Sequence, residues 1–143
     1  MTDAPLIIGI GNPHRGDDGV GAAVVAGLIE KGIEAIAFDG DGMELMVLWE
    51  GQSHVIIIDA TQSGVQAGTI QRFNAHEVVL PTNLFRHSTH QFGVAEAVEM
   101  ARVLGELPRR LELIGVEGAV FSLGQGLSAH VKKSVATVVK SFD

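Results

Sequence analysis

The chain has no cysteine and no tyrosine, a single tryptophan and only four prolines in 143 residues. The lack of cysteine excludes disulfides, thiolate metal ligands and a cysteine nucleophile. Positive charge is also scarce. Ten Lys and Arg stand against 17 Asp and Glu, for a formal net charge of −7. That balance argues against nucleic acid and anionic membrane as partners, because both would repel it. The apolar runs are too short for a transmembrane helix. Met1-Thr-Asp-Ala-Pro5 lacks the basic start of a signal peptide. A cytoplasmic protein is therefore expected.

Apolar residues and glycine are what the chain has in quantity. A hydrophobic content of 46% can support one full-sized core, so residues 1–143 read as a single domain. Many of the 18 glycines lie at element ends, where loops pass close to something.

The organising stretch is Leu6-Ile-Ile-Gly-Ile-Gly-Asn-Pro-His-Arg-Gly-Asp-Asp-Gly-Val-Gly21. Leu6 to Ile10 reads as a buried strand, Asn12-Pro13 as a turn, and Val20, Val24 and Leu28 as one face of a helix closed by Lys31-Gly32. A glycine-rich loop feeding a helix is ordinarily a phosphate cradle. Here Gly9, Gly11 and Gly16 miss the Gly-x-Gly-x-x-Gly spacing, and no Gly-Lys-Ser/Thr follows. Asp17 and Asp18 put negative charge where a phosphate would sit. One acid, Asp17, is explained as the helix N-cap. The second, Asp18, is surplus to a cap and suits a cation near a strand end.

Further along, Ile33 to Phe38 reads as a second strand and Met43 to Glu50 as a short helix with Leu45, Met46, Leu48 and Trp49 inward. Val55-Ile-Ile-Ile58 is too apolar for a half-exposed strand, so it is central and ends in Asp59. Gly68 to Phe73 reads as an edge strand. Residues 74–87 fit no period and are expected to be mobile, with Leu84-Phe85 lining a cleft. Ser88-Thr-His-Gln91 has the form of a capping box opening a third long helix. Leu111 to Val116 is a last strand, and Ser128 caps a helix carrying Val131, Val135, Val138 and Phe142. Strands alternating with helices predict an α/β fold: a three-layer sandwich, with a mostly parallel twisted sheet and helices on both faces.

Asp18, Asp59 and His90 then occupy equivalent places, after the first strand, at the end of the central strand and at the start of a helix. On parallel neighbours these places share one rim, and two carboxylates with one imidazole suit nickel, zinc or a similar divalent ion. Each also has an ordinary explanation, Asp59 as a turn former and His90 as a solvated first-turn residue. His14 could add a ligand but reads better as a surface residue. His54, His76, His87 and His130 read as strand start, loop, loop and helix surface. Asp39 and Asp41 shape a glycine-rich turn. No Gly-x-Ser-x-Gly elbow appears, so Ser88 is a cap and not a nucleophile.

Four segments together resemble the hydrogenase maturation proteases. They are Gly9-Ile-Gly-Asn12 with Asp17-Asp-Gly-Val-Gly21, Ile56-Ile-Ile-Asp59-Ala60, Ser88-Thr-His90-Gln-Phe-Gly-Val-Ala-Glu96, and Leu107-Pro-Arg-Arg-Leu-Glu-Leu-Ile-Gly-Val-Glu117. The resemblance implies a phosphorylase/hydrolase-like fold and an endopeptidase, aspartic-type or metal-assisted. Its partner would be the large-subunit precursor of a nickel–iron hydrogenase, from which it removes a C-terminal extension. It also implies that Asp18, Asp59 and His90 contact nickel brought by that precursor, with only weak divalent-metal binding by the free enzyme, acting as a monomer. The family's first acid is often glutamate, and here it is the shorter Asp18. Two rival readings stand beside this one. They are a non-catalytic nickel-sensing or chaperone protein for hydrogenase assembly, and a nucleotide-binding α/β domain, which Asp17-Asp18 disfavours.

Overall fold

The structure is a computed structural model that describes residues 4–81, 84–85 and 92–143. In chain order its elements are β1 (Leu6–Ile10), a 3-10 turn (Gly16–Gly19), α1 (Val20–Glu30), β2 (Ile36–Phe38), α2 (Gly42–Trp49) and β3 (His54–Thr61). Then come β4 (Ile70–Asn74), α3 (Val94–Leu104), β5 (Arg110–Glu117) and α4 (Ala129–Lys140). They form a five-stranded sheet of order β2-β1-β3-β5-β4. All neighbouring pairs are parallel except β4 with β5, so β4 is the antiparallel edge strand.

Side-chain alternation along the strands builds the two outer layers. Ile8, Ile10, Val55, Ile57, Leu111 and Leu113 face one way and pack with Leu45 and Trp49 of α2 and with Val94, Ala97, Val98 and Ala101 of α3. Ile7, Ile56, Ile58, Ile114 and Val116 face the other way, against Val20, Val24 and Leu28 of α1 and Val131 and Val138 of α4. All eight residues of β3 are buried, as its unbroken apolar run requires of a central strand covered on both faces. The expected three-layer α/β sandwich is what forms. Among the described residues no helix is long and apolar enough to cross a membrane.

Small residues set the depth at which α1 lies on β1. A Cβ at Gly9 would stand 2.2 Å from the Gly21 carbonyl oxygen, and one at Gly21 would stand 2.5 Å from the Ile10 backbone. Only two facing glycines allow that approach.

Three departures from expectation bear on the site. β2 begins at Ile36 and not at Ile33, because Ile33 N still donates to Leu28 O at 2.9 Å and closes the end of α1. α3 begins at Val94 with Gly93 as N-cap, and Glu96 accepts from Gly93 N at 2.8 Å. Ser88, expected to open this helix, lies outside the described residues, and Phe92 precedes the helix, with its carbonyl accepting from Gly42 N at 2.7 Å. The third concerns residues 74–87. Ala75, Leu80, Leu84 and Phe85 are buried in the α2/α3 core, so Leu84-Phe85 does not line an open cleft. Gln62 N donates to Leu84 O, and Thr61 bridges to Phe85, which ties these two residues to the end of β3.

Candidate functional site

In the order β2-β1-β3, the chain leaves β1 for one neighbour through α1 and returns to the other through α2. These helices cover opposite faces, since α1 packs in one core and α2 in the other. The carboxyl ends of β1 and β3 therefore bound a topological switch point, the crevice where open α/β sheets take ligands. Asp18 follows β1, and Asp59 lies near the end of β3. Both are 5% exposed. His90 lies outside the described residues. Among those that are described, no three His, Cys, Asp or Glu side chains form a metal-holding group.

Asp18 is set by the loop that precedes it. Its Oδ2 accepts from Asn12 N at 2.8 Å, and the Asn12 side chain in turn accepts from His14 N at 2.9 Å. Gly11 has φ +125°, and a Cβ there would stand 2.0 Å from the Asp18 carbonyl oxygen, so no other residue fits. Asp59 Oδ1 accepts from Ala60 N at 2.8 Å. By strand parity Asp59 belongs with Val55 and Ile57, on the α2/α3 side of the sheet.

Asp17 does not cap α1. The N-cap is Gly19, with no side-chain bond, because both acids lie inside the 3-10 turn that precedes the helix. Asp17 is instead fully buried, and it reaches across to the segment linking β5 to α4. Its Oδ2 accepts from Ala119 N at 2.8 Å, Val120 N at 3.1 Å and Ser128 Oγ at 2.9 Å, and its Oδ1 from Ser128 N at 2.7 Å. Burial opposes its ionisation, but the donors from Ala119, Ser128 and Val120 outweigh that and hold the carboxyl below its ordinary value. Ser128 occupies the N-cap position of α4 as expected, yet its hydroxyl serves Asp17 and makes no cap bond.

A second buried acid escaped the sequence reading. Glu117 ends β5 opposite Thr61 and is 3% exposed. It accepts from Thr61 Oγ1 at 2.7 Å, from Ser63 Oγ at 2.9 Å, and from Ser63 N and Gly64 N at 3.0 Å. Burial again opposes ionisation, and these donors again win, so the Glu117 carboxyl is lowered. The available signal was its place: Glu117 closes an apolar strand as Asp59 nearly closes β3.

Of the residues given ordinary readings, Asp41 is the N-cap of α2, accepting from Glu44 N at 2.9 Å. His14 and His130 are exposed. His76 pairs through Nε2 with Pro108 O at 2.8 Å, and His54 begins β3, buried, with Nε2 3.6 Å from Glu112.

A family model described as hydrogenase maturation protease matches residues 37–142. The hydrogenase 2 maturation protease of Escherichia coli is 35% identical over 118 residues, covering 78% of this chain and 71% of that relative. The hydrogenase expression/formation protein HupD of Thiocapsa roseopersicina is 26% identical over 141 residues, covering 94% of this chain and 64% of its own length. Among solved structures, the hydrogenase maturating endopeptidase HybD from E. coli superimposes with a TM-score of 0.80 at 29% identity. That match covers 96% of this chain and 88% of the other.

Proposed function

The chain belongs to the hydrogenase maturation protease family, and we propose that it is an endopeptidase removing the C-terminal extension of a nickel-loaded hydrogenase large-subunit precursor. The observation that supports this reading is the placement of two buried acids at the switch point, Asp18 following β1 and Asp59 near the carboxyl end of β3. The nickel is cargo of the precursor. Asp18 and Asp59 offer it hard oxygen donors and His90 a borderline nitrogen, which is why a precursor still lacking nickel is not recognised.

Hydrolysis then needs one water. It adds to the scissile carbonyl as it gives up a proton, the C–N bond breaks, and the leaving amine takes up a proton. A rim carboxylate can carry that proton, or the substrate's nickel can polarise the carbonyl. The protein works in the cytoplasm as a monomer, with the precursor as its partner.

Incubation with nickel-loaded and nickel-free precursor tests this. A shortened large subunit should appear only with the loaded form. Cleavage of both forms alike would remove nickel from the recognition step, and binding of loaded precursor without cleavage would leave a sensing or chaperone protein.

A further inference from the structure

Asp17 carries a buried charge whose donors are all neutral, and a helix cap is diverted to serve it. A serine at an N-cap position is worth about 1 kcal/mol when its hydroxyl bonds the first turn of the helix. Ser128 forgoes that bond and donates to Asp17 Oδ2 instead. A local stability rule broken beside a candidate site marks a group held in place for another reason.

The group being held is the 3-10 turn that carries Asp18. It is tied to the β5–α4 segment through its own backbone and that of the loop before it. Asp17 N donates to Val120 O at 2.7 Å and Gly16 N to Gln125 O at 3.0 Å, while Gly124 N donates to His14 O at 2.8 Å. The fit is close on both partners. A Cβ at Gly16 would stand 2.3 Å from Val120 O, and one at Gly118 would stand 2.9 Å from the Asp17 Cβ. Asp18 is the next residue in this turn, and its own Oδ2 accepts from Asn12 N.

We propose that Asp17 is a positioning residue. Its clamp on Ala119, Val120 and Ser128 fixes the turn so that the Asp18 carboxylate stands where the substrate's nickel is met. This rests on the functional reading above, in which Asp18 is a contact and Asp17 is not. A contact misplaced by about 1 Å can cost roughly a hundredfold in rate. Loosening the clamp should therefore act more on turnover than on precursor binding, because Asp18 keeps its charge and loses only its exact place.

The variants are Asp17→Asn, Ser128→Ala, Ser128→Thr and Asp18→Asn, assayed on nickel-loaded precursor well below each variant's melting temperature. Asp17→Asn is expected to lower kcat by about ten- to a hundredfold with KM within about twofold of wild type. Ser128→Ala should move kcat the same way by less, since it removes one donor of four. Ser128→Thr, which keeps the hydroxyl, should restore it. If Asp17→Asn does not fold, the two Ser128 variants carry the test. An Asp18→Asn variant that processes at the wild-type rate would overturn the site itself and this proposal with it. An inactive Asp18→Asn alongside a folded Asp17→Asn or Ser128→Ala of wild-type kcat would overturn the positioning role alone. A fall in stability with kcat unchanged would reduce the clamp to a structural tie.

Discussion

Replacing Glu117 with Gln should destabilise the protein, and by an amount that shrinks in acid. The carboxylate accepts from the hydroxyls of Thr61 and Ser63 and from the backbone of Ser63 and Gly64. Glutamine keeps the shape and one acceptor oxygen but turns an NH₂ toward groups that are themselves donors. Hydrogen bonds to a charged group contribute roughly 1.5–3 kcal/mol each. Losing one or two of them while the others weaken predicts a cost of about 3 kcal/mol at pH 7, or a fall of about 10 °C in Tm for a domain of this size. The pH dependence follows from the lowered carboxyl. In the unfolded chain Glu117 titrates near about 4.3. Below that pH the unfolded state takes up a proton that the folded state still refuses, so stability falls as the pH drops through the folded value. The contribution is fully present above about pH 5 and fades beneath it. Thermal and urea melts of both proteins from pH 7 to pH 3 measure the gap directly. A gap under about 1 kcal/mol at pH 7, or one unchanged at pH 3, would refute the assigned hydrogen bonding.

Other outcomes follow from the same geometry. Gly21→Ala drives a Cβ to 2.5 Å from the Ile10 backbone and should cost about 3 kcal/mol by chemical denaturation. Gly126→Ala meets nothing within 4 Å and should stay within about 0.5 kcal/mol of wild type; equal effects would contradict the close packing of α1 on β1. His90→Ala should leave the melt within a few tenths of a kcal/mol while processing falls by orders of magnitude. If that variant processes precursor at the wild-type rate, His90 is not a contact. In calorimetry the free protein should bind nickel or cadmium only weakly, and Asp59→Asn should weaken it further. Tight stoichiometric binding indifferent to that change would count against Asp59 as a ligand.

The layers and the sheet were legible from periodicity. Val55 to Ile58 could only be a strand covered on both faces, and the helical spacing in Val20–Leu28 and Val131–Val138 marked which side packs inward. That Asp18 follows β1 and Asp59 lies near the end of its parallel neighbour β3 was legible as well, because a parallel sheet brings strand ends to one rim whatever the side chains do. Capping was less so. Asp41, read only as shaping a turn, caps α2, whereas Asp17 and Ser128 had the right residue type before a helical run and do not cap α1 and α4 through their side chains.

What the sequence alone determined is therefore whatever depends on near neighbours and on period: the α/β class, the order of elements, the buried central strand and the acids at strand ends. The tertiary structure decided what each of two adjacent acids bonds. Asp17 finds its donors 102 to 111 residues away, at Ala119, Val120 and Ser128. Glu117 likewise closes on Thr61, Ser63 and Gly64 more than 50 residues earlier. A buried carboxylate takes its role from the donors that replace its water, and those donors are chosen by the packing of distant segments, which no local spacing encodes.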